Sequence, residues 1–228
     1  MKQEFIRTAN TKQFEEMCNE MTSTMSLIGP SLAMVTGPAG RGKTEAAKHY
    51  AVNSQAIYIP PMNIRSPAMV LREISFELCG MRPTRSDACL ANIGEEMARN
   101  RRLIMVDEAD LLEMKCLEML RNVNERFACP IMLIGEEELK GKIGSRRRLA
   151  SRMRRRMEFG PISKEDIAFF FHTSLGVKAG ADVTSAIHKH ANGDWRPVLT
   201  TAINIERSMK ASNVSEITME MVSDAGRH

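Results

Sequence analysis

The octapeptide Gly37-Pro-Ala-Gly-Arg-Gly42-Lys43-Thr44 constrains this chain more than any other feature. It fits G-x-x-x-x-G-K-[ST] and lies between an apolar run, residues 32–36, and a stretch of helical character, residues 44–52. A loop of this kind between strand and helix turns its backbone N–H groups inward around phosphate, and the helix N-terminus adds the positive end of its dipole. The glycines let the backbone wrap. Lys43 is then aimed at β- and γ-phosphates, and Thr44 offers its hydroxyl to Mg2+. Gly37, Pro38, Ala39, Gly40, Arg41, Gly42, Lys43 and Thr44 are therefore the candidate nucleotide-binding residues, with ATP and Mg2+ as the expected ligands.

The run Leu103-Ile-Met-Val106-Asp107-Glu108 supplies the complementary half. Four apolar residues predict a buried strand, and the acids emerge at its carboxyl end, where open α/β sheets bind their ligands. Two adjacent acids alone carry little weight. Paired with the loop they assign Asp107 to Mg2+ together with Thr44, and Glu108 to the orientation and deprotonation of an attacking water. The expected reaction is hydrolysis of ATP to ADP and phosphate. Asp110 is expected to cap the next helix.

The rest of the chain fits this frame. Apolar strands near 32–36, 56–59, 103–106 and 131–134 alternate with helical patterns near 44–52, 66–80, 86–99 and 111–123. That alternation implies a parallel sheet covered by helices on both faces. After Phe159-Gly160-Pro161 only helices are predicted, near 163–175, 182–191, 195–211 and 218–225. The expected organisation is a three-layer α/β nucleotide-binding domain over 1–160 and a small helical lid domain over 161–228. Five widely spaced cysteines without a C-x-x-C pair, no apolar run near the roughly 20 residues of a bilayer span, and a charged segment at Met1–Asn10 all favour a cytoplasmic chain with no membrane contact.

The net charge of +4 is unevenly distributed. Residues 141–156 read GKIGSRRRLASRMRRR and hold eight positive charges with no acid, which leaves a net −4 elsewhere. Seven arginines fall within 145–156. Solvated faces normally mix signs, and arginine forks suit phosphate. The favoured reading is contact with a nucleic-acid backbone through Arg146, Arg147, Arg148, Arg154, Arg155 and Arg156; an acidic protein partner and a plain solvated face are the alternatives. Aromatic residues make up only 5% and are not interleaved with the arginines, so double-stranded DNA bound largely without regard to sequence is the expected partner. Read as one helix, turning about 100° per residue, the segment brings Arg147, Arg148, Arg154 and Arg155 to one side.

The two motifs together resemble the AAA+ ATPases, and Asp107-Glu108-Ala109-Asp110 is a common form of that group's second motif. Ser151-Arg152, before a short strand and a proline, is similar to the segment that carries the arginine finger in initiator-type members. That resemblance implies that Arg152, or failing it Arg148, completes a neighbouring protomer's site. Gly193-Asp194-Trp195-Arg196 resembles the sensor-2 motif, which implies that Arg196 senses the γ-phosphate. Within the superfamily, Ile131-Met-Leu-Ile-Gly135-Glu136, the arginine-dense segment and the compact lid resemble the transposition regulators typified by the phage Mu B family. This implies ATP-dependent self-association into a ring or helical filament on DNA, capture of target DNA and activation of a transposase. Two departures stand out. Only 36 residues precede the phosphate loop, whereas the Mu B protein carries an extra N-terminal DNA-binding domain. Gly135 and Glu136 stand where many members place a polar sensor-1 residue, so that role stays unassigned. Replication initiation, helicase loading and a slowly hydrolysing signalling switch are the competing functions.

Overall fold

The computed structural model describes residues 4–23, 31–60, 64–212, 214 and 216–225. In chain order the elements are α1 (Ala9–Thr22), β1 (Leu32–Thr36), α2 (Lys43–Asn53), β2 (Ile57–Ile59), α3 (Pro67–Cys79), α4 (Ser86–Arg99), β3 (Ile104–Val106), α5 (Met114–Phe127), β4 (Ile131–Ile134), α6 (Glu138–Gly144), α7 (Arg147–Ala150), β5 (Met153–Glu158), α8 (Lys164–Leu175), α9 (Ala181–Ala191), α10 (Trp195–Ser212) and α11 (Met219–Ala225). A short 3-10 turn, Ala109–Leu111, follows β3.

Local chemistry sets many of these limits. Ser66 accepts a hydrogen bond from the Met69 N–H, Pro67 occupies the first turn, and Gly80 ends α3 in the left-handed region at φ 72°, its N–H donating to the Phe76 carbonyl. A reciprocal pair starts α8: the Ser163 hydroxyl accepts from the Asp166 N–H, and the Asp166 carboxylate accepts from the Ser163 N–H.

The five strands form one parallel sheet in the order β2-β3-β4-β1-β5. Leu32 and Met34 of β1 face a core built with α3, α4 and α5, while Ala33 and Val35 face a second core built with α1 and α2. The central strands are buried along their whole length, which is why they read as continuous apolar runs rather than alternating ones. Burying each large aliphatic side chain there contributes about 1.5–3 kcal/mol. The parallel sheet with helices on both faces and an all-helical C-terminal region is the α/β architecture that the sequence predicts.

Two compact units are distinguishable by their internal packing. One holds Gln13–Pro38 and Lys43–Phe159, hence the whole sheet. The other holds Gly160–His228 with Ala39–Gly42 and the described residues up to Lys12. Its core is built from α8 to α11, with Phe170, Phe171, Ile187, Val198 and Ile205 at its centre. All five cysteines are free, and four of them are buried. Among the described residues, no helix is long and apolar enough to cross a membrane.

The basic segment departs from its predicted form. It is not one helix: α7 ends at Ala150, and residues 153–158 form β5 at the edge of the sheet. Met153 and Met157 are the reason, because each is buried against β1. A bulge at Arg154 separates the Leu32–Met153 pair from the Ala33–Arg155 pair, so Met153 joins the α3–α5 core and Met157 the α1–α2 core. The helical grouping of Arg147, Arg148, Arg154 and Arg155 is therefore overturned.

Candidate active site

The loop after β1 begins with Gly37 at φ 151°. A Cβ built there meets the Phe159 carbonyl oxygen at 2.8 Å, so only glycine lets the end of β5 pass so close. The Lys43 ammonium is buried and donates to the carbonyls of Gly37 and Pro38, at 2.6 and 2.8 Å. The tip of the loop, Ala39–Gly42, belongs with the helical unit. There the Trp195 N–H donates to the Gly40 carbonyl at 3.0 Å, and the Arg41 guanidinium donates to the Asn192 carbonyl at 3.3 Å. Gly40, at φ 74°, has its Cα so near the Asp194 carboxylate that an added Cβ overlaps it. Asp194 also accepts from the Arg196 N–H, which places Arg196 in the first turn of α10.

The acids lie where the buried strand predicts. Asp107 follows β3, is 5% exposed, and its backbone N–H donates to Ile59 of β2. Its Oδ2 accepts from the Thr44 hydroxyl at 2.8 Å and from the Tyr58 hydroxyl at 2.7 Å, while Oδ1 accepts from the Glu108 N–H at 3.0 Å. Burial and the neighbouring Asp107 keep the Tyr58 phenol well above its ordinary range, so it stays a hydrogen-bond donor. Thr44 and Asp107, which the sequence assigns jointly to a metal, thus stand in direct contact. Among the described residues, no group of three or more His, Cys, Asp or Glu is arranged to hold a metal.

Glu108 is exposed and sits in the left-handed region at φ 49°, ψ 39°. For a side chain of this size that conformation costs on the order of 1–3 kcal/mol, and such outliers concentrate at active sites. Desolvation, then the carboxylates of Asp107, Asp110 and Glu136, raise its pKa above the ordinary glutamate value. A carboxylate in this setting binds a proton more readily than a free one, as a general base requires.

Asp110 does not cap α5. Its Oδ1 instead accepts the Glu136 N–H at 3.0 Å and ties the turn after β3 to the turn after β4. Gly135 permits this approach, since a Cβ there meets Asp110 Oδ1 at 2.3 Å. Lys142, which the sequence counts with the basic segment, donates to the carbonyls of Asp110 and Leu112 and braces the same turn.

The arginines divide between surfaces. Arg146, Arg147 and Arg148 are exposed at and within α7. Arg155 pairs with Ala33 in register, lies on the α1 side, and contacts Glu20 at 2.9 Å. Arg156 pairs with Met34 and lies on the opposite face, that of α3–α5. The Arg152 guanidinium donates to Glu125 of α5 at 2.7 Å. Arg152 and Glu125 are both substantially exposed, and such ion pairs contribute about 0.2–1 kcal/mol. Tyr58 and Lys142 are the site residues that sequence reasoning misses.

The chain is similar to known proteins over much of its length. A family model described as an AAA domain matches residues 28–143, just over half of the chain. The ATP-dependent target DNA activator B of Escherichia phage Mu is 29% identical over 173 residues, which cover 72% of this chain and 54% of that protein. The Mu-like prophage FluMu DNA transposition protein B of Haemophilus influenzae is 28% identical over 138 residues, covering 59% and 46% respectively. The chain thus spans about half the length of the curated relatives it matches. Among solved structures, Cdc6p from Pyrobaculum aerophilum superposes with a TM-score of 0.72 at 16% identity, over 98% of this chain and 69% of that one.

Proposed function

The chain belongs to the AAA domain family, and from that premise we propose that it is an ATPase that assembles on DNA, captures target DNA and activates a transposase. The observation that carries the catalytic half is the contact of the Thr44 hydroxyl with the Asp107 carboxylate, beside a strained Glu108 of raised pKa. Gly37 to Lys43 cradle the phosphates of ATP. Thr44 and Asp107 would hold Mg2+, which neutralises phosphate charge when bound. Glu108 orients the attacking water and accepts its proton as the bond from water oxygen to the γ-phosphorus forms and the bond to the β-phosphate oxygen breaks. We assign 1–160 to the nucleotide-binding domain and 161–228 to a lid, with Arg196 as its sensor of the γ-phosphate.

The DNA half draws on the names of the phage relatives and on the arginines of residues 146–156. Arg152 serves as the finger of the neighbouring site in a ring or filament; the exposed Glu125 pair is weak enough to exchange for phosphate. ATP turnover measured with and without duplex DNA tests the reading, and electron microscopy with ATP and DNA tests the assembly. DNA-stimulated turnover with ATP-dependent filaments or rings is expected; a rate indifferent to DNA and a monomer in every state overturn the proposal. The Ser151-Arg152 segment, similar to the finger segment of initiator-type members, favours a second reading, an initiator or helicase-loader role, which predicts the same turnover but no stimulation of a transposase.

A further inference from the structure

We propose that Tyr58 is a positioning residue for the divalent cation: its hydroxyl fixes the Asp107 carboxylate so that one acceptor direction stays open for the cation's water shell. This rests on the reading of Thr44 and Asp107 as the Mg2+ site. A carboxylate accepts about four hydrogen bonds, two at each oxygen. Oδ2 is filled by Tyr58 at 2.7 Å and Thr44 at 2.8 Å, and Oδ1 takes the Glu108 N–H at 3.0 Å. Among the described residues, one direction remains, on Oδ1. Thr44 spends only its hydrogen on Asp107, so its oxygen keeps its lone pairs for a metal. Without Tyr58 a buried carboxylate is one partner short, and it regains one by turning about its χ2 axis, a soft rotation.

The fold explains why a tyrosine supplies this bond. Tyr58 lies on the edge strand β2, paired in register with Met105, two residues before Asp107. Its ring packs against the core on the α1–α2 side, and only its polar tip reaches the carboxyl end of β3. The other residues of β2, Ile57 and Ile59, carry no hydroxyl. The run Ala56-Ile-Tyr-Ile59 carries no signal of this role, because the role exists only once β2 lies beside β3.

Tyr58→Phe keeps the ring and removes the donor. Binding of a fluorescent non-hydrolysable ATP analogue is measured in EDTA and across a Mg2+ titration, together with Mn2+ binding by electron paramagnetic resonance in the presence of ADP. Affinity in EDTA is expected to stay within about twofold of wild type. The Mg2+ and Mn2+ midpoints are expected to rise about tenfold, the loss typical of removing a partner that orients a metal-binding carboxylate. Midpoints equal to wild type, with or without a lower melting temperature, overturn the proposal and leave Tyr58 a structural residue. If wild-type binding of the analogue itself ignores Mg2+, the metal site fails as a whole, and the inference with it.

Discussion

Strands β3 and β5 belong to the same parallel sheet, yet the charges they present are held in opposite ways. β3 is interior, flanked by β2 and β4, and Asp107 at its end is nearly sealed from water with three hydrogen bonds to its carboxylate. β5 is an edge strand whose Arg154, Arg155 and Arg156 are all exposed. Two exposed arginine pairs near it, Arg155–Glu20 and Arg152–Glu125, cross to different helices on different faces. A buried carboxylate must be satisfied in one geometry, so the interior strand pre-organises chemistry. An edge strand bearing arginines discourages pairing with another strand.

The sharpest break of this comparison comes from Glu108→Gln. ATP should bind as in wild type, while kcat falls by about 100- to 10,000-fold, the range expected for loss of a general base. DNA should then be held longer. In the wild type, kcat/KM should decline as pH falls through the raised pKa of Glu108, so its acidic limb should lie above the ordinary glutamate value. An acidic limb at or below that value removes Glu108 from the base role. Lys43→Ala should weaken ATP binding by about 10- to 100-fold, since it removes charged hydrogen bonds to phosphate. Isothermal titration with near wild-type affinity contradicts the loop assignment.

A smaller effect, roughly tenfold on hydrolysis, is expected of Arg196→Ala, the loss of a single charged hydrogen bond. An unaltered rate returns Arg196 to the helix surface. The smallest effect bears most directly on the edge. Arg147 and Arg148 on α7, and Arg154 and Arg155 on β5, can be replaced pairwise by alanine. Every phosphate that an arginine no longer neutralises flattens the plot of log affinity against log salt by about 0.9, so a pair that touches DNA should flatten it by up to about 2 per protomer. ATP binding without DNA should not change. Slopes unmoved by both pairs favour an acidic protein partner; a slope moved by one pair identifies which element lies along the duplex.

How much of the fold and site is legible in the sequence varies with distance along the chain. The caps of α3 and α8 are written in residues three or four apart, and the helix limits follow the predicted ones closely. The α4 limits, Ser86–Arg99, coincide with the predicted 86–99. Asp110 misleads as a helix cap because its partner is 26 residues away, at Glu136. Lys142 looks like one more cation in a basic run, but it serves two backbone carbonyls of the turn after β3.

The sequence by itself determined the phosphate loop, the acids that follow β3 and the parallel α/β plan. Each is written in local runs of residues, whose backbone preferences and apolar periods do not depend on which strand lies beside which. Only the tertiary structure decided that Tyr58 reaches Asp107, that Asp110 binds the turn after β4, and that Met153 and Met157 draw the second half of the arginine run into an edge strand. Those outcomes depend on which strand lies beside which, and on a core that gains more from burying two methionines on opposite faces than a helix of like charges gains from its own hydrogen bonds.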